Sequence, residues 1–390
     1  MLDSNPILDP ILELMVKKKA SDLFITAGRA PTIKVDGDLV EISKQILSPE
    51  QSLKVVKSIM TQRQINEFEN TNECQFAIGV KELGRFRVSA FIQRDAAGMV
   101  LRRIENNIPT VEALNLPPIL KNLIMEKRGL LIFVGATGTG KSTSLAALIR
   151  HRNENSSGHI ITIEDPIEYQ HQHLGCIVTQ REVGLDTESY EIALKNTLRQ
   201  APNVILIGEI RTRETMQNAI TFAETGHLCV TTLHANNANQ ALDRILHFFP
   251  EDMHSQILMD LSLNLRGIIA QQLVKRIDGR GRYPALEIMI NTPLAKDYIR
   301  KGEISKLKEL MKDSREHGMQ TFDQALFDLY MSDKIGFDDA LDYADSRNEV
   351  RLMIKLGTAN AGDFENPDMM LSEDESDNDF YRTFKTTKRP

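Results

Sequence analysis

Gly129-Leu-Leu-Ile-Phe-Val-Gly-Ala-Thr-Gly-Thr-Gly-Lys-Ser-Thr143 is the stretch that decides the fold. Leu130 to Val134 is a continuous apolar run, as a parallel strand requires when both of its faces are buried. Gly135 to Ser142 then fits GxxxxGK[ST], and a helical pattern opens at Lys141. Strand, glycine-rich turn and helix N-terminus in that order form a phosphate cradle. The glycines let backbone N–H groups turn inward, and the helix start adds its positive dipole end. Lys141 supplies a point charge for the β and γ oxygens, and the Ser142 hydroxyl suits Mg²⁺. Gly135, Ala136, Thr137, Gly138, Thr139, Gly140, Lys141, Ser142 and Thr143 are the candidate nucleotide-binding residues, with Mg²⁺ and ATP expected.

The same pattern recurs downstream. Apolar runs at Ile160–Ile163, Val204–Ile207 and Leu228–Thr232 alternate with helical patterns over Asp186–Arg199 and Thr212–Glu224. Strands alternating with helices predict a doubly wound α/β sheet. Helices are expected to dominate after Glu251.

Parallel strands deliver their carboxyl ends to the ligand crevice, and polar residues stand at those ends. Val204-Ile-Leu-Ile-Gly-Glu209 is an apolar strand closed by a carboxylate, which places Glu209 near Mg²⁺ or its water. Ile163-Glu-Asp-Pro-Ile-Glu168 carries three carboxylates within five residues. They repel one another unless a cation or a proton intervenes, and beside a nucleotide one of them can polarise the attacking water. Spacing alone leaves open which one. His234 follows the last strand and can face the γ-phosphate, whereas His227 precedes that strand, where a packed, hydrogen-bonded histidine is the default.

The first hundred residues have a different composition. Helical spacing over Ile7–Ala20, a strand at Leu23–Ile25 and a hairpin about Asp36-Gly37 predict a small α+β unit. Ser48-Pro-Glu-Gln51 reads as a capped helix start. Alternating stretches follow at Cys74–Val80, Arg85–Gln93 and Met99–Ile104, and Asn106–Pro109 reads as a linker. Cys74, Cys176 and Cys229 are too scattered for a zinc site or a disulfide framework, and buried thiols are expected. A net charge of −7 argues against a duplex nucleic-acid partner. The absence of a leader pattern and of an apolar span predicts a cytoplasmic protein. Leu371–Phe380 holds five acidic residues in ten, and a short basic end follows. Such a segment reads as a solvating tail, or as a docking tail anchored by Phe380, Tyr381 and Phe384.

With these motifs in order, the chain resembles the secretion ATPases of the type II/type IV pilus superfamily, nearest the PilT/PilU retraction-motor branch. The resemblance covers about residues 7–345 and is densest from Gly129 to His234. Residues 135–142 resemble the Walker A box, 162–169 the aspartate box, 206–211 the Walker B box and 225–234 the histidine box. The resemblance implies a RecA-like core, an N-terminal PAS-like domain and a helical C-terminal region. Their expected spans are 1–106 for the PAS-like domain, 107–118 for the linker, 119–362 for the ATPase domain and 363–390 for an acidic tail.

The resemblance further implies Glu168 as the base, Glu209 as the Walker B glutamate and His227 with His234 as the histidine pair. It implies a homo-hexamer in which Arg85 and Arg102 reach phosphates across the subunit boundary, where charge on the transferring phosphoryl needs guanidinium partners. The implied partners are a PilT-like retraction ATPase and an inner-membrane platform protein, with no nucleic acid. The chain lacks the tetracysteine element of assembly motors. It reads Leu294-Ala-Lys-Asp-Tyr-Ile-Arg-Lys301 where retraction motors carry a signature of their own, and Val183-Gly-Leu-Asp186 where they have further charges. These departures and the acidic tail favour a PilU-like accessory role. A nucleotide-binding ring that does not hydrolyse, and a DNA translocase, are the alternatives. Intact Lys141, Glu168 and Glu209 speak against the first, and the lack of a basic–aromatic strand platform against the second.

Overall fold

The computed structural model describes residues 5, 8–35, 37–81, 83–104 and 107–360. Asp36 and the acidic tail lie outside them. The N-terminal unit begins with α1 (Asp9–Lys17), β1 (Asp22–Thr26), β2 (Thr32–Val35) and β3 (Asp38–Glu41). Val35 stands opposite Asp38, the register that a two-residue turn gives. Helix α2 (Pro49–Lys57) opens on a reciprocal cap between Ser48 and Gln51, as the sequence predicts, and α3 (Gln62–Thr71) follows. Three long strands complete the unit: β4 (Glu73–Val80), β5 (Gly84–Gln93) and β6 (Ala96–Arg103). The resulting sheet has the order β3-β2-β1-β6-β5-β4 and is antiparallel throughout. Strand β5 shows the period of two that a one-sided sheet demands. Phe86, Val88 and Ala90 are buried in the core of this unit, while Arg85 and Arg87 lie on the other face.

The second unit is an α/β layer structure with a seven-stranded sheet ordered β13-β12-β7-β11-β10-β8-β9. It is built from α4 (Ile119–Ile124), β7 (Gly129–Val134), α5 (Lys141–Asn155), β8 (Gly158–Glu164), β9 (Cys176–Glu182), α6 (Tyr190–Thr197), β10 (Val204–Ile207), α7 (Arg213–Glu224) and β11 (Leu228–Leu233). Helices α8 (Ala238–His247) and α9 (His254–Asn264) lead into β12 (Leu265–Lys275) and β13 (Arg282–Ile290). Every residue of β7, β10 and β11 is buried, which is why these strands read as unbroken apolar runs. Neighbouring pairs from β12 through β9 are parallel, and β13 alone runs antiparallel.

Two parts of this sheet depart from the sequence reading. Strand β9 is an addition to the expected set. The β12–β13 hairpin stands in a region expected to be helical, and the helices resume after it as α10 (Pro293–Lys301), α11 (Leu307–Asp313), α12 (Phe322–Met331), α13 (Phe337–Asp342) and α14 (Arg347–Asn360). The helix expected from Asp186 begins at Tyr190 behind a Ser189 cap, because Val183 and Thr187 first close a tight turn. That turn meets the N-terminal unit, since Leu185 packs on its core.

Glu287 on β13 is buried and accepts the Ala238 N–H at the start of α8, at 2.8 Å. Burial pushes its carboxyl up to about 7, against an ordinary value of 4.5. Between those values the folded chain keeps a proton that the unfolded chain has released, so this group costs stability as pH rises through the window. Glu287→Gln keeps an acceptor for Ala238 and removes the titration. Denaturant melts should therefore find the variant about 1–3 kcal/mol more stable than wild type at pH 8, with the gain shrinking toward pH 5.

Candidate active site

The parallel strands end along one edge, and the polar residues beyond those ends meet in a cleft of about 640 Å³. Thr137, Gly138, Gly140, Lys141, Ser142 and Thr143 form one wall. Gly135 and its loop are held by close backbone approach. A β-carbon at Gly135 would stand 2.6 Å from the Gln271 carbonyl and 2.7 Å from Thr139 Oγ1. Gln271, buried on β12, accepts from Ser144 Oγ at 2.8 Å and donates to the Thr139 carbonyl at 2.7 Å. It clamps the loop to the first turn of α5. Lys141 Nζ donates to the carbonyls of Gly135 and Ala136 at 2.7 and 2.9 Å. Burial lowers its pKa, while the Glu209 charge opposes that shift.

Glu209 follows β10 and is bracketed by an imidazole and a guanidinium. His234 Nε2 lies 3.0 Å from Oε1, and Arg211 Nη2 donates to Oε2 at 2.8 Å. Arg211 also approaches Asp165 at 3.9 Å. Gly208, just before, is wedged in place, since a β-carbon there would lie 3.0 Å from the Tyr190 hydroxyl and 3.1 Å from Glu164 Cα. That crowding accounts for glycine at a position where many P-loop proteins carry aspartate.

The three acidic-box carboxylates occupy different environments. Glu164 accepts from Thr162 Oγ1 at 2.6 Å and from Gln180 Nε2 at 3.2 Å. Burial, against those two hydrogen bonds, pushes it up to about 7. Glu168 lines the same cleft but is exposed, as is Asp165. The donor set of Ser142 hydroxyl and Glu209 carboxylate suits Mg²⁺, which takes few protein ligands and fills its octahedron with phosphate oxygens and water. No cluster of three or more His, Cys, Asp or Glu among the described residues makes a dedicated metal cage.

His227, Arg85 and Arg102 are placed elsewhere in the single chain. His227 precedes β11, with Nδ1 beside Thr225 Oγ1 at 3.2 Å and the Phe222 carbonyl at 3.3 Å. Six strand residues put it roughly 20 Å from the His234 end. Arg102 donates to the buried Asp22 at 2.8 Å, and its side chain stays 62% exposed. Arg103 lines the cleft instead, together with Arg211, Arg282 and Tyr169. Arg103, Arg282 and Gln271 lie outside every motif read in the sequence, whereas Tyr169 and Arg211 close the 162–169 and 206–211 boxes without an assigned role. The signal available for Arg103 was strand alternation, which turns adjacent arginines to opposite faces.

Gln271→Leu removes both clamp bonds at nearly constant volume. Titration calorimetry with ADP should show affinity reduced about tenfold, the sum of two hydrogen bonds of ordinary strength.

Comparison with known proteins gives the family. The profile of the type II/IV secretion system protein family matches residues 4–321. The type IV pilus ATPase PilU of Pseudomonas aeruginosa is 64% identical over 355 residues, covering 91% of this chain and 93% of that protein. The type IV pilus retraction ATPase PilT of the same organism is 39% identical over 334 residues, covering 86% of this chain and 97% of that protein. A crystal structure of the pilus retraction motor PilT with bound ADP superposes with a TM-score of 0.83 at 37% identity, covering 90% of this chain and 100% of that one. The chain belongs to the type II/IV secretion system protein family, within which it is an ATPase of the PilT/PilU branch.

Proposed function

We propose that this chain is the subunit of a hexameric, cytoplasmic ATPase that powers type IV pilus retraction alongside a PilT-like motor. The observation that carries the reading is the convergence of the P-loop, Glu209, His234 and the acidic box in one cleft. The likeness to PilU along nearly the whole chain supports it. The proposed division is a PAS-like unit at 1–106, a linker at 107–118, an ATPase unit at 119–362 and a tail at 363–390.

In this reading ATP lies along residues 135–143. Lys141 swings from the loop carbonyls to the β and γ oxygens, trading neutral acceptors for charged ones. Ser142 and Glu209 would hold Mg²⁺, which would supply charge neutralisation at the phosphates. Glu168 orients and polarises the attacking water, its exposure leaving it room to do so. Glu164 is the weaker candidate, being engaged by Thr162 and Gln180. His234 and Arg211 fix the Glu209 carboxylate, and Arg103 faces the cleft from the N-terminal unit. Arg85 and Arg102 act on the neighbouring subunit's nucleotide, with Arg102 exchanging Asp22 for phosphate. His227 contributes through the fold of its strand. Loss of γ-phosphate contacts frees the two units to rotate, and the rotation is passed to an inner-membrane platform protein. In this reading the contact is peripheral and no nucleic acid takes part; no helix among the described residues is long and apolar enough to cross a membrane.

Two measurements test the reading. Glu168→Ala should lower kcat at least a hundredfold with nucleotide affinity changed only a few-fold, as expected for a group acting in the transition state. A wild-type rate would remove Glu168 from the role. In cells that keep their PilT-like motor, deletion of this protein should reduce retraction force, and an unchanged force would sink the accessory-motor reading.

A further inference from the structure

Glu182 ends β9, and its carboxylate is buried, with 2% of the side chain exposed. A carboxylate is costly to bury unless charge and hydrogen bonds compensate it, so its partners are informative. One oxygen accepts the Ile167 N–H at 3.3 Å, inside the acidic box and one residue before Glu168. The other stands 3.9 Å from Arg87 Nε on β5 of the N-terminal sheet. Burial raises its pKa, while the Ile167 amide, Arg87 and then Arg85 oppose the shift.

The backbone around it serves the same segment. Glu182 stands opposite Glu164 in the β8–β9 register, and the Val183 N–H donates to the Glu164 carbonyl at 2.9 Å. Farther along, Gln180 Nε2 donates to the Tyr169 carbonyl at 2.9 Å. Strand β9 therefore holds the acidic box at its start, middle and end. Glu182 is the member of this set that also pairs with the N-terminal unit.

We propose that Glu182 is a positioning residue that ties the acidic-box loop to the N-terminal sheet through Arg87, so that the placement of Glu168 follows how the two units sit together. The inference rests on the reading of Glu168 as the base. Its physical content is a lever. Movement of β5 shifts Arg87, Arg87 shifts the buried carboxylate, and that carboxylate carries the Ile167 amide with it. Displacements of an ångström at a reacting group are enough to change rates a hundredfold.

The test uses the full-length protein, with ATP turnover, affinity for a non-hydrolysable ATP analogue and thermal melting read side by side. Glu182→Gln keeps an acceptor for Ile167 and loses the ion pair, whereas Arg87→Ala removes the partner alone. Each should lower kcat about tenfold and leave analogue affinity within about twofold, with melting near wild type in Glu182→Gln and lowered in Arg87→Ala, where the carboxylate stays buried without its cation. The double variant should be no slower than the slower single, because both changes break one link. Glu182→Ala, which also strips Ile167 of its acceptor, should be slower still.

A wild-type kcat in Glu182→Gln overturns the proposal. So does a rate loss matched by equal losses of affinity and stability, or additivity in the double variant. Glu168→Ala in the same assay separates the two readings. If it turns over normally while Glu182→Gln is slow, the base assignment falls and the positioning role stands through another carboxylate of the loop. If it is inactive while Glu182→Gln is not slowed, the base stands and the lever falls.

Discussion

Ile132, Thr231, Ile207, Ile163 and Arg181 lie side by side across five parallel strands, and the chemistry depends on that one row of backbone hydrogen bonds. Three residues past Ile132 the P-loop begins, and three past Thr231 stands His234. Two past Ile207 stands Glu209, and the carboxylates of the aspartate box start directly after Ile163. A one-residue slip in any strand would turn its terminal side chain to the other face of the sheet. The row is secured by complete burial of β7, β10 and β11, which excludes water from competing for those bonds. The precision of the site is thus a consequence of the core beneath it.

The second constraint is electrostatic. Glu164, Asp165, Glu168 and Glu209 gather in one cleft, and their mutual repulsion must be relieved before any nucleotide adds its own charge. Relief comes from unlike sources. Glu164 is half-buried, and desolvation raises its pKa so that it keeps a proton up to about 7. Glu209 pairs with the Arg211 guanidinium and lies within hydrogen-bond distance of His234. Glu168 is left exposed. This graded environment gives residues of one chemical type different tasks. It also shows why their spacing along the chain could not rank them.

Legibility in the sequence followed the same division. The P-loop, the strand ends and the reciprocal cap at Ser48 could be read because they depend on a few adjacent residues. Strand β12 could not. It continues directly from α9 at Asn264–Leu265 with no glycine or proline between them, and its polar Gln271 and Gln272 break the apolar run. Gln271 is polar for a reason outside the strand, because it clamps the P-loop. Local sequence does not separate Arg103 from Arg102, because the face of a strand residue depends on parity, and parity is set by pairing with β1 and β5. Glu182 carries no local mark, since one partner lies fifteen residues earlier and the other, farther back in the chain, belongs to another sheet.

What the sequence by itself determined is the class of chemistry. A glycine-rich turn between a buried strand and a helix start can do little except hold phosphate, and carboxylates at neighbouring strand ends can do little except manage metal and water around it. Only the tertiary structure decided which side chains share the cleft, which carboxyl keeps a proton and which buried acid links the two units. Those outcomes depend on distance, burial and strand register between segments far apart in the chain. Local composition determines what a residue is able to do, and folding determines what stands beside it when it does so.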